Sequence, residues 1–284
     1  MDWIADLGDF WLNTLEWLAG LTLAFALLVR LMPCNPGMYW WKNPHAVAAD
    51  FMYWFIVPLF LRAVRTFLLW AGIKYLCDGA NPQFLAVATY PLWLQCLAIL
   101  LIQDAMLYAI HRVFHTRLAW KFHAIHHSPT VLDWMSTARF HPINNLFAFT
   151  LADVAVLLMG FSPQALLLLA PFNLSYSAMT HANLNWTFGP LRYLFASPVF
   201  HRWHHTTENE GINKNFASTF PLLDWMFGTF YMPPNKLPER FGNGEDDYPE
   251  DFWGQLLHPF LRQHEKQSLA PSPANEPHRE SEAA

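Results

Sequence analysis

Histidine is the residue type whose number and spacing point to chemistry in this sequence. The chain has 284 residues and contains 14 histidines, and eight of them fall into three short clusters. These clusters are H-x-x-x-H at residues 111–115 and H-x-x-H-H at residues 123–127 and 201–205. Residues three and four positions apart share one face of a helix. Each cluster is therefore expected to direct two or three imidazole rings to one place.

Such a set of imidazoles predicts a transition-metal site. Neutral imidazole is a common metal ligand, and one metal ion takes about three to six donors. Eight histidines exceed the needs of one tetrahedral zinc, so they indicate two metals, or one metal with an excess of donors. Mere decoration of a polar surface is disfavoured in so apolar a chain. The candidate ligands are His111, His115, His123, His126, His127, His201, His204 and His205, whereas His45, His258, His264 and His278 are isolated and are interpreted as ordinary surface or interfacial residues.

Two carboxylates are candidates for supporting roles at this site. Asp104 precedes His111 and His115 at helical spacing, on the same face as Tyr108. An ionisable residue in an apolar run is costly, and a carboxylate can accept the second N–H of a ligating histidine. The alternative is that Asp104 lies at a membrane boundary, where its carboxylate has hydrogen-bond partners and no role at the site. Asp224 is expected to play the same supporting part for the last cluster.

The elements that must position these residues are membrane helices. The chain is 54% hydrophobic, 17% aromatic and only 14% charged, which is typical of a membrane protein. Apolar runs cover residues 11–32, 47–70 and 84–110, and the second is interpreted as either a tilted span or a bent hairpin. Residues 146–179 contain a Gly/Pro break at 160–163 that predicts a helical hairpin. We therefore expect an all-α integral membrane fold with three to four transmembrane helices, a helical hairpin and a cytosolic histidine-rich helical cap.

Charge distribution suggests the orientation and the domain limits. The positive-inside rule places the histidine clusters in the cytoplasm, in a multi-pass protein of the bacterial inner membrane or the endoplasmic reticulum. Three crossings place the N-terminus outside, and four crossings with the N-terminus inside also fit. Residues 1–234 form the predicted membrane-embedded domain, with a catalytic core at about 104–230. Residues 235–284 form a polar C-terminal segment that is expected to be disordered from about 271.

Two classes of function and site are disfavoured by composition. The net charge of −5 argues against nucleic acid as a partner. The three cysteines are widely spaced, so they predict neither a disulfide framework nor a C-x-x-C site.

Several motifs, in order along the chain, resemble the fatty acid hydroxylase/sterol desaturase superfamily. They are HRVFH at 111–115, KFHAIHHS at 121–128, ARFHP at 138–142, HRWHH at 201–205, NKNF at 213–216 and LDWMFGT at 223–229. The spacing of the last block is similar to the branch that contains alkylglycerol monooxygenase and related bacterial sterol desaturase-like proteins. The match extends over about residues 104–230.

The resemblance implies two iron ions held by the clustered histidines. It adds His181 as a ligand between the second and third clusters. It also implies His141 as a ligand or a residue that supports one, and Asn183 as a further donor, acting through water. One departure is Asn144, where relatives often carry Glu. Iron is favoured over zinc because zinc has no accessible redox chemistry, although zinc can fill such a site in preparations.

The reaction implied is oxidation of an unactivated C–H bond with O₂ and external electrons. The substrate is a lipid with a fatty acyl, sterol or ether-lipid C–H bond, and the electron donor is a cytochrome b5-like or ferredoxin-like protein. Hydroxylation is expected, with desaturation on the same site as the alternative. A zinc-dependent membrane hydrolase is a less favoured reading because neither H-x-x-H box contains the Glu of H-E-x-x-H. A non-catalytic lipid-binding relative is also less favoured, since the cluster histidines are all present.

Overall fold

The computed structural model describes residues 3–79 and 84–261, and every regular element in these residues is helical. Ten α-helices follow in order: α1 Trp3–Leu31, α2 Pro44–Gly79, α3 Leu92–Phe114, α4 Trp120–His127, α5 Pro142–Asn145, α6 Leu151–Leu158, α7 Pro163–His181, α8 Pro198–His204, α9 Leu222–Met226 and α10 Phe252–Leu261. Short 3₁₀ segments lie between them, and a π-helical turn, Leu146–Thr150, leads into α6. The expected all-α fold is confirmed.

Three of these helices are long and apolar enough to cross a membrane. The candidate spans are Leu12–Leu31 in α1, Pro44–Gly72 in α2 and Leu92–Phe114 in α3. Large apolar side chains remain exposed along all three, as expected for surfaces that face lipid. Helix α2 continues through Pro58 without a break, so the second apolar run is one helix and not a bent hairpin. The described residues thus contain three candidate membrane spans, by length and composition.

The predicted hairpin is formed by α6 and α7. Its turn contains Gly160, whose φ of 89° lies in the left-handed region that favours glycine. Ser162 then caps α7, because its side-chain oxygen accepts the N–H of Ala165, and Pro163 follows at the first helical position. Helix α6 packs on α2 and α3. An ion pair between Arg65 and Asp153 fastens it to α2.

The histidine clusters lie at one end of this bundle, which we call the cap end. Helix α1 finishes there, since the Asn185 N–H donates to the Met32 carbonyl. Helix α2 begins there, where Asp50 pairs with Arg139. Helix α3 finishes there and carries His111 in its last turn. The three spans therefore alternate in direction, and the start of α1 is at the opposite end from the histidines.

Residues 235–261 pack on the cap end. The Asn35 side-chain amide donates to the Pro238 carbonyl, and Phe241 forms an isolated bridge with Thr206. Helix α10 packs on α2 and α4 through Phe252 and its neighbours. The sequence separates residues 235–284 as a polar segment, yet its first half belongs to the packed body. Residues 262–284 lie outside the described residues, so the disordered tail stays a prediction.

Candidate metal centre

Nine histidines converge in two groups at the cap end. In each group one ligand-type ring nitrogen from every member lies within 4.8 Å of all the others. The five-histidine group is His111, His115, His123, His127 and His204, and the four-histidine group is His126, His181, His201 and His205. These nine are the eight cluster histidines and His181.

The two H-x-x-H-H clusters are each divided between the two groups. This corrects the expectation that every cluster directs its imidazole rings to one place. In α4, His123 and His127 are four residues apart and join the five-histidine group, whereas His126 joins the other. In α8 and the residue that follows it, His201 and His205 are four residues apart and join the four-histidine group, whereas His204 joins the first. Each H-x-x-H-H cluster therefore contributes to both groups, because its helix lies between them.

Backbone carbonyl groups determine which ring nitrogen faces inward. The Nδ1–H of His111 donates to the Phe216 carbonyl at 2.8 Å, and that of His204 to the Lys214 carbonyl at 2.7 Å. A carbonyl oxygen can only accept, so the proton of each neutral ring sits on Nδ1. Nε2 is left with a free lone pair in the group. His126 and His181 follow the same rule, with the carbonyls of Arg139 at 3.2 Å and Ser177 at 2.8 Å.

Two asparagines hold further rings in the same way. The amide oxygen of Asn144 lies 2.7 Å from Nδ1 of His123. That of Asn213 lies 3.2 Å from Nδ1 of His115. Asn144 is the position at which the sequence departs from the superfamily pattern, and it supplies a neutral acceptor where relatives often carry a carboxylate.

Within each group, inward Nε2 atoms face each other at a distance at which their lone pairs need a cation between them. The Nε2 atoms of His111 and His123 are 3.0 Å apart, and those of His126 and His181 are 3.3 Å apart. Since both rings of each pair carry their proton on Nδ1, neither Nε2 has a hydrogen to donate. Two lone pairs at this distance repel each other, and a metal ion between them removes the repulsion. The donor set therefore fits metal ions.

Unpartnered nitrogens add to this fit. Buried polar atoms normally have a hydrogen-bond partner. Among the described residues, the Nε2 atoms of His115, His127 and His204 and the Nδ1 atom of His205 are buried without one. All four belong to the two groups. The three Nε2 atoms are those that metal ligation would use, whereas in His205 it is Nε2 that lies 3.1 Å from the Nε2 of His201.

Burial keeps these rings in the neutral, metal-binding form. For His126, His127 and His204, burial lowers the pKa well below the usual value of 6.5 because it penalises the charged imidazolium. The neighbouring imidazoles lower the pKa of each ring further. At neutral pH the site thus presents lone pairs rather than protons to a metal.

Asp104 and Asp224 do not contact a histidine, which corrects their expected role. The carboxylate of Asp104 accepts the backbone N–H groups of Thr219 and Phe220, at 2.7 and 3.0 Å. Asp224 accepts the N–H groups of Phe216 and Ala217, both at 2.8 Å. Both carboxylates therefore fasten the loop at residues 216–220. Because the Phe216 carbonyl holds His111, they act on the site through this loop.

His141 lies outside both groups and is therefore not placed as a direct ligand, whereas its supporting role and the water-mediated role of Asn183 stay predictions. The Nδ1 of His141 accepts the Ile143 N–H at the start of α5, and its Nε2–H donates to the Leu256 carbonyl. Both ring nitrogens are thus engaged. Asn183 accepts the N–H of Asn35 and donates to backbone carbonyls. Its amide joins the segment after α1 to the segment after α7.

The sequence reasoning missed a buried ion pair that supports the four-histidine group. Asp50 of α2 pairs with Arg139, and their side chains are only 6% and 4% exposed. The guanidinium also donates to the Ala46 carbonyl, and the Arg139 carbonyl accepts the ring N–H of His126. The available signal was Asp50 itself, a lone acid inside the second apolar run.

We expect Asn144→Leu to weaken metal binding at the five-histidine group. The substitution removes the acceptor that holds the His123 ring, and loss of such a contact typically costs about 10–100-fold in metal affinity. Asn144→Asp should retain tight binding because it keeps an acceptor. The measurement is iron retained per chain against increasing chelator. Asn145→Leu is the matched control, and equal loss in the leucine variants at 144 and 145 would contradict the role.

Comparison with known proteins agrees with this geometry. A sequence model described as fatty acid hydroxylase matches residues 96–229, the segment from α3 to the end of the loop after α9. This segment contains all nine grouped histidines. Residues 96–229 are similar to the fatty acid hydroxylase family. The resemblance seen in the histidine motifs is therefore confirmed.

Proteins similar to this chain carry the names of lipid-modifying enzymes. The ornithine lipid hydroxylase OlsE of Rhizobium tropici is 32% identical over 65% of this chain and 56% of that protein. An alkylglycerol monooxygenase of Caenorhabditis elegans is 31% identical over 53% of the chain and 29% of that protein. The very-long-chain aldehyde decarbonylase GL1-7 of Oryza sativa subsp. japonica is 26% identical over 52% and 25%. The chain thus spans about half of the first relative and less of the others. No solved structure gives a significant match.

Proposed function

We propose that this chain is a membrane-bound non-haem di-iron oxygenase that hydroxylates a lipid. The observation that supports it best is the facing of bare Nε2 atoms within two adjacent, buried histidine groups. The fatty acid hydroxylase match and the names of the relatives support the reaction class.

The five-histidine group would hold one iron and the four-histidine group the other. An all-nitrogen donor set of this size suits a redox metal better than zinc, whose closed sites take four ligands. When bound, the irons supply the activation of O₂ by which R–H, O₂, two electrons and two protons give R–OH and water. The electrons come from an external carrier, for which a cytochrome b5-like or ferredoxin-like protein is the candidate.

The chain's own part is to orient the rings and to keep the site dry. The carbonyl and amide acceptors hold the proton of six of the nine rings on Nδ1 and so aim their Nε2 atoms inward. Aromatic rings form the wall: Phe140 stacks on His126 with ring centroids 4.1 Å apart, and the Phe216 ring lies 5.0 Å from that of His115. Trp120 lies 5.2 Å from His115. Such a wall excludes water from reactive chemistry.

A lipid substrate is consistent with where the groups lie. His111 stands in the last turn of a candidate span, so the site is at the cap end of the apolar helices. An acyl or alkyl chain in the bilayer can approach this level without passing through water. Hydroxylation is preferred to desaturation because two of the relatives are named hydroxylase and monooxygenase.

We place the cap end in the cytoplasm, with three crossings, a hairpin that returns to the same side, and the N-terminus outside. The alternating direction of α1, α2 and α3 supports three crossings. The exposed Arg112 and Arg117 at the cap end of α3 support the orientation, because basic residues favour the cytoplasmic side.

The test combines metal content with isotope labelling. Protein purified in detergent without chelator or nickel resin should contain about two irons per chain, as two ligand groups require. With NADPH, a ferredoxin and its reductase, total lipid extract under ¹⁸O₂ should yield a lipid with one added ¹⁸O. If zinc is found, iron reconstitution must restore this product. Less than about half a metal per chain, after reconstitution, would reject the site.

We expect deletion of residues 271–284 to leave turnover within about twofold of the full chain, since polar termini of this composition usually pack against little. The measurement is the same hydroxylation assay at matched protein and iron concentrations. An inactive truncation with normal iron content would show instead that the tail docks a partner.

A further inference from the structure

Helix α10 has an apolar face that no described residue covers. Its inner face buries Phe252, Gln255 and Pro259. Its outer face exposes four large apolar side chains in one stripe: Trp253, Leu257, Phe260 and Leu261, with exposed fractions from 48% to 76%. The helix has no Asp, Glu, Lys or Arg between Phe252 and Leu261. Such a surface is unfavourable in water.

The contacts of the inner face show the depth at which α10 lies. The Phe252 ring is 4.8 Å from that of Tyr53, and the Tyr53 hydroxyl donates to the Gln255 side chain at 3.1 Å. Val57 and Leu61 belong to the same buried cluster. All three α2 residues lie inside the candidate span Pro44–Gly72. At 1.5 Å per residue, Tyr53 is about 13 Å along α2 from Pro44.

A second short helix shows the same arrangement elsewhere on the bundle. Helix α9 and the residue after it expose Trp225, Met226 and Phe227. The Phe227 ring stacks on Tyr108, with centroids 5.5 Å apart. Tyr108 lies inside the candidate span Leu92–Phe114. The outer face of α9 is therefore also level with a membrane helix.

We propose that α9 and α10 are in-plane helices embedded in the cap-side leaflet, with lipid acyl chains covering their exposed faces. Amphipathic helices can lie with their apolar face at the boundary between head groups and acyl chains in this way. Continuity with the exposed apolar surface of α2, where Phe51 and Phe60 face outward, favours lipid over a second protein. The proposal rests on the membrane embedding of α1–α3 and is independent of the oxygenase reaction.

This placement brings the histidine groups to the level of the lipid. The Leu256 carbonyl of α10 accepts the ring N–H of His141, which in turn caps the helix that carries Asn144. The Phe260 ring lies 5.8 Å from that of Phe122 in α4. Helix α10 thus stands between the bilayer and the helix that supplies ligands to both groups.

Depth-dependent fluorescence quenching tests the proposal on the full chain. Cysteine replaces Trp253, Leu257 or Trp225 in a chain with Cys77→Ala and Cys96→Ala, in which the buried Cys34 is the one native cysteine left. Each introduced cysteine is labelled with bimane in phosphatidylcholine nanodiscs. Leu27→Cys in α1 is the membrane control, and Glu210→Cys, exposed on a polar segment, is the aqueous control.

Lipid carrying a nitroxide at acyl carbon 5 should quench the three test labels at least about twofold more than the Glu210→Cys label, as insertion of an apolar face requires. Iodide should quench them less than it quenches that control. Iodide quenching equal to the Glu210→Cys label would overturn the proposal. So would protection from both quenchers with two copies per nanodisc, which would mean that a second chain covers the faces.

Discussion

Replacing His126 or His204 with alanine is expected to abolish lipid hydroxylation while leaving the protein in the membrane. His126 belongs to the four-histidine group and His204 to the five-histidine group, so the two variants damage different halves of the centre. Each removes a nitrogen from a metal site, and iron should fall from about two per chain to about one or less. Turnover, iron content and membrane fractionation are measured on the same preparations.

His45→Ala is the matched control for these variants. His45 is exposed near the start of α2 and belongs to neither group. Its replacement should leave turnover and iron content unchanged. Full activity in either ligand variant would show that the ring concerned does not hold a metal, and loss of the protein from the membrane would indicate misfolding.

Asp50→Leu should strongly destabilise the protein and loosen the four-histidine group. The substitution leaves the Arg139 guanidinium buried without its carboxylate, and breaking a buried pair in this way typically costs about 3–5 kcal/mol. The Arg139 carbonyl that holds His126 would lose its anchor. The measurements are the free energy of unfolding in detergent and iron retention against chelator.

A double replacement distinguishes the effect of losing the ion pair from the effect of general damage to α2. Asp50→Leu with Arg139→Met removes both charges, and much of the lost stability should return because no charge is left uncompensated. Asp246→Asn, at an exposed position, is the control and should change stability by less than about 0.5 kcal/mol. Unfolding of Asp50→Leu at the same denaturant concentration as the unmodified chain would contradict the role of the pair.

The histidines that form the two groups were predictable from the sequence, but their distribution between the groups was not. The spacing in H-x-x-H-H shows that the rings lie near one face of a helix. It does not show that another histidine-bearing helix packs on each side of that face. In the structure, the residues four apart join one group and the third residue joins the other. Only the packing of α4 against α3, α7 and α8 decides this division.

The supporting contacts were harder to predict because they join distant parts of the chain. The spacing predicts that Asp104 lies on the His111 face of α3, and in the structure its carboxylate binds a loop 115 residues away. Asp50 and Arg139 are 89 residues apart. The apolar runs and the Gly/Pro break, by contrast, are local signals, and they predicted α1, α2, α3 and the hairpin.

The polar composition after residue 234 obscured α10. A ten-residue helix with four outward apolar side chains gives a weak signal beside a segment rich in Pro, Gly and acidic residues. Its partner Tyr53 lies 202 residues earlier. The contacts of α10 with α2 therefore show that it belongs to the packed bundle, which its composition did not indicate.

The division of α4 and α8 between the two histidine groups would link the two proposed metals energetically. A metal bound at either group would order both helices and so lower the ordering cost at the other, which is positive cooperativity without direct contact. By reciprocity, loss of one metal would weaken binding of the other to the same degree. A population of chains at limiting iron would then consist mainly of empty and doubly loaded molecules. The half-loaded molecule, which could bind O₂ without completing the reaction, would be kept rare by the way the helices are shared.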